Sequence, residues 1–468
     1  MRILKHIVHL TISMAMLAIV LTATATHAQT AAFDSGNERQ QVNKYIDANS
    51  KLNAKQLQLK EHLGNVVSEE LLKQASSPRE AAPSDYATDG SASTPHLQIS
   101  LLTCGPGNEV YEYYGHSAIR VVRTDSTGLD LTFNYGVFDF NTSFFALKFA
   151  MGETYYMCVG QPTEDFIAYY RHSGRYIDEQ ILNLTQNECR RIYQALLNNI
   201  KPENRTYLYN ILYDNCATRV RDIIEQNLDG ELQYPNRPTE RSFRDAIHFF
   251  CRNAKWSSFS QGLLLGAKAD WPATGRELQF APLVLEQDID HTLILAEGYS
   301  VHNFVLKKHR LLDTDTTIIP SAGFTFSPSA LAALALIASI IIGVWEVRHR
   351  RIIWPIDTML LLIQGTAGII VSFVFFFSEH PTVDSNWLIW ILNPLPLAGL
   401  YWQITGARKH NYKQYHAIAA PVIALFLLCS KSIPQHFDSA IILLALLMLI
   451  RSLTNLVVWL KSRKAAQA

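Results

Sequence analysis

Tyr113-Tyr114-Gly115-His116-Ser117-Ala118-Ile119-Arg120-Val121 sets a histidine where an alternating apolar run begins, and its reading decides the fold. The run is followed by Asp125-Ser126-Thr127-Gly128, a cluster of turn residues, and then by a second strand-like stretch, Leu129–Tyr135. A hairpin centred near Ser126 places His116 opposite Gly136. The two-residue period of a strand then puts Asn134 on the face of His116, within diagonal reach, with Tyr135 and Asp139 on the other face. Working outward, further strands are expected at Leu97–Thr103, Thr154–Gly160 and Tyr176–Leu184. Helices are expected at Thr163–His172, Gln186–Asn199 and Ala217–Asn227, the middle one opened by a Thr185/Glu188 capping box. Strands interleaved with helices make an α+β domain. Leu232 to His309 is less regular and reads as extra strands and loops leading toward the membrane.

Tyr213-Asp214-Asn215-Cys216-Ala217-Thr218-Arg219 puts a cysteine where a helix begins. Free N–H groups and the positive dipole end at such a position stabilise a thiolate, and an imidazole nearby would serve as base and acid. Cys216 is therefore the candidate nucleophile, His116 its base and Asn134 the group that orients the imidazole. A buried structural cysteine or half of a disulfide is the competing reading of Cys216, and Cys104, close in sequence to His116, is a rival nucleophile without a helix terminus. Five of the six cysteines precede the apolar C-terminal region, so two disulfides would leave one thiol over. No CxxC or HxxxH spacing suggests a metal site, and no cofactor is expected. Glu188, Arg219 and Arg221 read as solvated helix faces or salt-bridge partners.

The chain has 468 residues, with 41 Lys plus Arg balancing 41 Asp plus Glu, which gives no electrostatic reason to expect nucleic acid. Arg2, Lys5, the apolar Ile7–Val20 and Thr26-His27-Ala28 read as a signal peptide over residues 1–28, cleaved or kept as an anchor. Residues 29–95 follow as a polar helical segment, Glu38–Gln74, and a flexible linker, Ala75–Pro95. The exported catalytic domain is expected over residues 96–310, a connector over 311–326 and a membrane domain of about five helices over 327–468. Its apolar stretches are Ser327–Trp345, Ile356–Phe377, Trp387–Trp402, His416–Cys429 and Ala440–Leu460. Arg348 to Arg351, Arg408-Lys409 with Lys413, and Lys461, Arg463 and Lys464 fall on one side. The positive-inside rule thus predicts a multi-pass inner-membrane protein with a cytoplasmic C-terminus and a periplasmic catalytic domain. Two readings stand for Ser378-Glu379-His380-Pro381, Asn386-Trp387 and Asn393-Pro394. They bind a lipid headgroup or guide an acyl chain, or they are a loop turn and a kink satisfied by neighbouring helices. Asp357 reads as interfacial and Cys429 as inert packing.

Taken together, His116 at a strand start and Asn215-Cys216 opening a helix resemble the permuted papain-like arrangement of lecithin:retinol acyltransferase relatives and NlpC-type cell-wall peptidases. Leu101-Leu102-Thr103-Cys104-Gly105-Pro106-Gly107, the Tyr114-Gly115-His116-Ser117 run, Phe133-Asn134-Tyr135-Gly136-Val137-Phe138-Asp139-Phe140 and Asp214-Asn215-Cys216-Ala217-Thr218 resemble, more closely, the Lnb-type lipoprotein N-acyltransferase family. That resemblance covers His96 to the end; the helical segment before His96 departs from it. It implies a permuted papain-like exported domain followed by a five-helix membrane domain. It also implies an acyl chain taken from a phospholipid or a diacylglyceryl-lipoprotein onto Cys216 and passed to the N-terminal amino group of a lipoprotein. A thioester preserves the acyl-transfer potential that an amine needs. Substrate contacts are expected from Tyr114, Ser117 and Asn215, and from His380, Asn386 and Asn393 in the membrane part. Two alternatives remain: a membrane-tethered cysteine peptidase or amidase acting on cell-wall peptides, and a non-enzymatic membrane scaffold docking through Glu38–Gln74.

Overall fold

The computed structural model describes residues 96–124, 128–138, 144–236, 241–295, 301–314, 326–409 and 413–467. The expected signal peptide, the segment and linker over 29–95, the hairpin tip around Ser126, and Asp139 lie outside the described residues.

The chain runs through β1 (Leu97–Cys104), β2 (His116–Arg123), β3 (Asp130–Val137), α1 (Phe145–Met151), β4 (Tyr155–Pro162), α2 (Thr163–His172), β5 (Ile177–Leu182), α3 (Gln186–Asn199), β6 (Thr206–Leu208) and α4 (Cys216–Glu225). It continues with β7 (Glu231–Gln233), α5 (Phe243–Phe250), α6 (Lys255–Leu264), α7 (Gly275–Leu278), α8 (Pro282–Asp290), β8 (Leu293–Leu295), β9 (Val301–Asn303) and β10 (Val305–Leu312). Five C-terminal helices follow: α9 (Pro328–His349), α10 (Trp354–Phe377), α11 (Leu395–Lys409), α12 (Lys413–Cys429) and α13 (Ser439–Gln467).

Seven strands form one antiparallel sheet in the order β10-β5-β1-β2-β3-β4-β6. The period of two divides its apolar side chains. Ile99, Leu101, Ile119, Val121 and Phe133 meet Ile192 and Leu196 of α3, Val220 and Ile224 of α4, and Leu285 of α8. Leu102, Cys104 and Ala118 turn the other way, onto Phe166 and Tyr170 of α2. The β2–β3 register pairs Ala118 with Asn134 and Ile119 with Phe133, the pairing that a hairpin centred on Ser126 demands. Thr185 caps α3: its Oγ1 accepts from the Glu188 N–H at 3.3 Å and Glu188 Oε2 accepts from the Thr185 N–H at 2.7 Å. Glu188 Oε1 accepts in addition from the Asp229 N–H at 3.0 Å, so this carboxylate is a buried cap rather than part of a solvated face.

Two compact units divide the chain, one within Phe33–Glu240 and Ala273–Pro320, the other from Arg241–Pro272 and Ser321–Ala468. Residues 241–272 thus cluster with the C-terminal helices, not with the sheet. The physical reason is a set of hydrogen bonds. Asn386 Nδ2 donates to the carbonyls of Leu263 at 2.8 Å and Leu264 at 3.3 Å, and Gln435 Nε2 donates to Leu265 O at 3.2 Å. The Lys268 N–H donates to Ser385 Oγ at 3.0 Å, and Gly266 lies so close to Thr382 that a Cβ would clash with its carbonyl oxygen.

In the membrane unit α9 and α12 pack on α13, and α10 packs on α11. Three helices are long and apolar enough to cross a bilayer: Pro328–His349, Trp354–Phe377 and Ser439–Arg463. The expected third stretch, Trp387–Trp402, is broken by Asn393-Pro394 into a 3-10 turn, Trp387–Trp390, and α11. Asp357 is buried, as are Glu346 and Arg451, and Arg451 binds both carboxylates, Glu346 at 2.6 Å and Asp357 at 2.7 Å. Asn455 Nδ2 donates to Asp357 at 2.9 Å, and Gln403 Nε2 at 3.3 Å. An unpaired charge at this depth would cost several kcal/mol, so the helices α9, α10 and α13 are held in one register by the ion triad. Arg451 carried a signal in the sequence, as a charge within the apolar stretch Ala440–Leu460.

Candidate functional site

The site grows from the ends of β2 and β3 and the start of α4. His116 opens β2, and its Nε2 lies 2.7 Å from Asn134 Oδ1. The amide oxygen can only accept, so Nε2 carries the hydrogen and Nδ1 keeps its lone pair. Asn134 is almost completely buried, at 5% exposure, which shields this bond from water. The register of the hairpin is what brings the two together, two positions apart diagonally on one face.

Cys216 is the first residue of α4 because Asn215 ends the preceding extended chain and caps the helix. Asn215 Oδ1 accepts from the N–H groups of Ala217 at 2.9 Å and Thr218 at 3.1 Å, and Thr218 Oγ1 accepts from the Asn215 N–H at 2.8 Å. The helix terminus therefore begins one residue earlier than Ala217. Gly136, at φ +87°, lies between the two candidate catalytic groups. A Cβ built there would be 3.6 Å from Cys216 Cβ and 3.9 Å from His116 Cε1. Both side chains thus reach one point of the backbone, where a positive φ favours glycine.

Electrostatics at the sulfur run in two directions. Burial pushes the Cys216 thiol up, while the backbone N–H groups of Ser117, Ala217 and Cys216 and the charge of Arg175 pull it down. Burial wins, so the helix terminus by itself does not produce a thiolate, contrary to the simplest reading of Asn215-Cys216. A base is needed to take the proton, and His116 is the imidazole at hand. The three converging N–H groups are also donors of the kind that stabilise an oxyanion.

A layer behind the histidine was not legible in the sequence. Tyr170 of α2 stacks on the His116 ring, with centroids 6.3 Å apart and planes 19° from parallel. The Arg175 guanidinium sits 4.9 Å over the Tyr170 ring, and is itself held by Gly105 O at 2.7 Å and Glu112 at 2.8 Å. Cys104 pairs in register with His116 but is fully buried, and burial pushes its thiol up to about 12. It is a poor nucleophile, packed in the α2 face of the sheet. None of the six cysteines is in a disulfide. Cys158 and Cys189 are likewise pushed up, to about 12 and about 11.

Of the expected substrate contacts, Tyr114 is buried with its ring 5.9 Å from Phe280, and Ser117 is buried with its backbone N–H on Cys216. The Asn215 side chain builds the helix start, its Nδ2 donating to Ile211 O at 2.7 Å and Phe280 O at 2.8 Å. His380, Asn386 and Asn393 belong to the membrane unit. Asn386 is engaged with Leu263, Leu264, Leu388 and Gln435, and Asn393 caps the turn before α11, its Oδ1 accepting from the Leu395 N–H at 3.0 Å. These two amides brace the polypeptide around them. His380 is half-buried, and its backbone N–H donates to Ser378 Oγ at 3.2 Å. Arg219 is a salt-bridge partner, of Asp214 at 2.5 Å, and stacks over Tyr207. Among the described residues no group of three His, Cys, Asp or Glu side chains could hold a metal ion.

Two family models match the chain, the Lnb N-terminal periplasmic domain over residues 84–245 and the Lnb transmembrane domain over residues 320–463. No curated protein and no solved structure matches it. The first match contains His116, Asn134 and Cys216, and the second contains the five C-terminal helices up to residue 463. The order and extent of these matches, together covering well over half the chain, assign it to the Lnb-type family, as a membrane protein with an N-terminal periplasmic domain.

Proposed function

We propose that the chain is a cysteine-dependent acyltransferase that moves a fatty acyl group onto the N-terminal amino group of lipoproteins. The observation that carries this reading is the pairing of His116 with Asn134 beside a cysteine that begins a helix. The periplasmic unit is then a permuted papain-like domain. The five C-terminal helices cross the inner membrane, with the Lys- and Arg-rich loops and the C-terminus in the cytoplasm.

In the first half-reaction Cys216 passes its proton to His116 Nδ1, and the sulfur attacks the ester carbonyl of a phospholipid or of a diacylglyceryl-lipoprotein. The N–H groups of Ser117, Cys216 and Ala217 supply the donors for the oxyanion. The C–O bond breaks, the alkoxide leaves with the proton from His116, and a thioester remains. In the second half-reaction the amino group of the lipoprotein's terminal cysteine attacks the thioester and loses a proton to His116. An amide forms, and Cys216 is regenerated as a thiol.

The test uses the full chain in lipid nanodiscs whose lipid is labelled in the acyl chain, with no lipoprotein present. Label should accumulate on Cys216, be released by neutral hydroxylamine and be absent from Cys216→Ser. A peptidase or a scaffold would give no lipid-derived label, and that result would overturn the proposal.

A further inference from the structure

The helix α1 has the sequence Phe145-Ala146-Leu147-Lys148-Phe149-Ala150-Met151, and none of its residues is buried despite six apolar side chains in seven. Phe144, just before it, is 71% exposed. A short apolar helix on a surface is costly in water unless something apolar covers it. This one is continuous with the site. A Cβ built on Gly136 would lie 3.6 Å from Cys216 Cβ, and two residues on, Phe138 lies 4.7 Å from the Tyr156 ring and stacks on Phe145 at 5.3 Å. Phe145 stacks in turn on Phe149 at 6.3 Å. A row of rings therefore leads from the backbone beside the sulfur out along α1. Lys148 is the one charged residue of α1, and among the described residues no carboxylate pairs with it.

We infer that α1 and the row Phe138–Phe145–Phe149 form the binding track for the fatty acyl chain, with the carbonyl at Cys216 and the chain lying along the rings. The inference rests on the acyltransferase reading and adds the residues that select a long chain. One observation favours an acyl chain over another apolar partner: the track ends beside the sulfur, where the acyl carbonyl would sit and a protein surface has nothing to offer.

The experiment is alkylation of the full-length protein in detergent micelles by N-ethylmaleimide and by N-dodecylmaleimide, read at each cysteine by peptide mass spectrometry. The dodecyl-to-ethyl rate ratio at Cys216 is divided by the same ratio at Cys429, an exposed thiol that corrects for partition into micelles. In Phe145→Ser/Phe149→Ser the corrected ratio should fall by about tenfold or more, since each lost ring contact removes apolar area from the bound chain. Labelling of the buried Cys158 would report loss of fold in that variant. Phe144→Ser, at an exposed position, then carries the test and should lower the ratio by a smaller factor. An unchanged ratio in a folded variant overturns the inference, as does an unchanged ratio accompanied by loss of a dimer, which would make α1 a contact between copies. Because maleimide needs no acyl chemistry, the ratio reads the track even if no acyl-enzyme forms, so failure here and failure of the acyltransferase reading are told apart.

Discussion

Replacing Asn134 by Ala removes the acceptor that lies 2.7 Å from His116 Nε2, in a nearly dry position. The ring then has two choices. It can keep its hydrogen on Nε2 without this acceptor, or it can move the hydrogen to Nδ1 and lose the lone pair that the proposed base needs there. A buried donor left without its acceptor costs about 1–3 kcal/mol. At 1.36 kcal/mol per decade this is roughly a 5- to 150-fold loss of rate. The assay is acylation of Cys216 from labelled lipid in nanodiscs near neutral pH, set beside alkylation of Cys216 by iodoacetamide at about pH 10, above the usual thiol range. The first rate should fall by that factor. The second should stay near the wild-type value, since hydroxide then removes the proton and the base is not needed. Full acylation by Asn134→Ala would refute the orienting role. An equal fall in both rates would assign the loss to damaged packing rather than to the imidazole.

The raised pKa of Cys216 fixes a pH dependence. The thiol is protonated at neutral pH and the thiolate grows as pH rises through the elevated value, so iodoacetamide alkylation should keep climbing beyond about pH 9; a plateau near neutrality would indicate a resting thiolate–imidazolium pair instead. His116→Ala should lower acylation by about 100- to 10,000-fold, the usual worth of a general base, while Cys104→Ala retains acylation, as measured by hydroxylamine-labile label. Gly136→Ala asks a Cβ to adopt φ +87°, which should destabilise the periplasmic unit by about 1 kcal/mol and slow acylation, read by thermal unfolding and by the same label. Arg451→Met leaves Glu346 and Asp357 buried without their cation and should cost about 3–5 kcal/mol of membrane-unit stability in detergent; an unchanged melting temperature would show that the triad is not what holds α9, α10 and α13 together.

The sequence alone determined the features that depend on short-range periodicity and local chemistry. Thr163–His172 and Gln186–Asn199 are helices over the expected residues, the latter opened by its Thr185/Glu188 cap, because capping and helical spacing are encoded within a few residues. The diagonal placement of Asn134 beside His116 followed from a turn centre and a period of two, both local quantities. The three long apolar helices were equally legible, as runs with almost no charge. Tertiary structure decided what depends on which distant groups share a volume. Burial of Cys216 outweighs its helix terminus, a balance set by everything packed around the sulfur. Tyr170 and Arg175 stand behind His116 because α2 folds over the sheet, and no spacing in the sequence announces that stack. Asn386 and Asn393 looked like available polar groups, yet their amides are taken up by carbonyls and N–H groups brought to them by the fold. Nothing near Asp357 in the sequence announces Arg451, 94 residues away in the chain, which closes on it. Local sequence carries propensity and polarity; solvation and partnership belong to the assembled chain, because they depend on atoms that come together only when it folds.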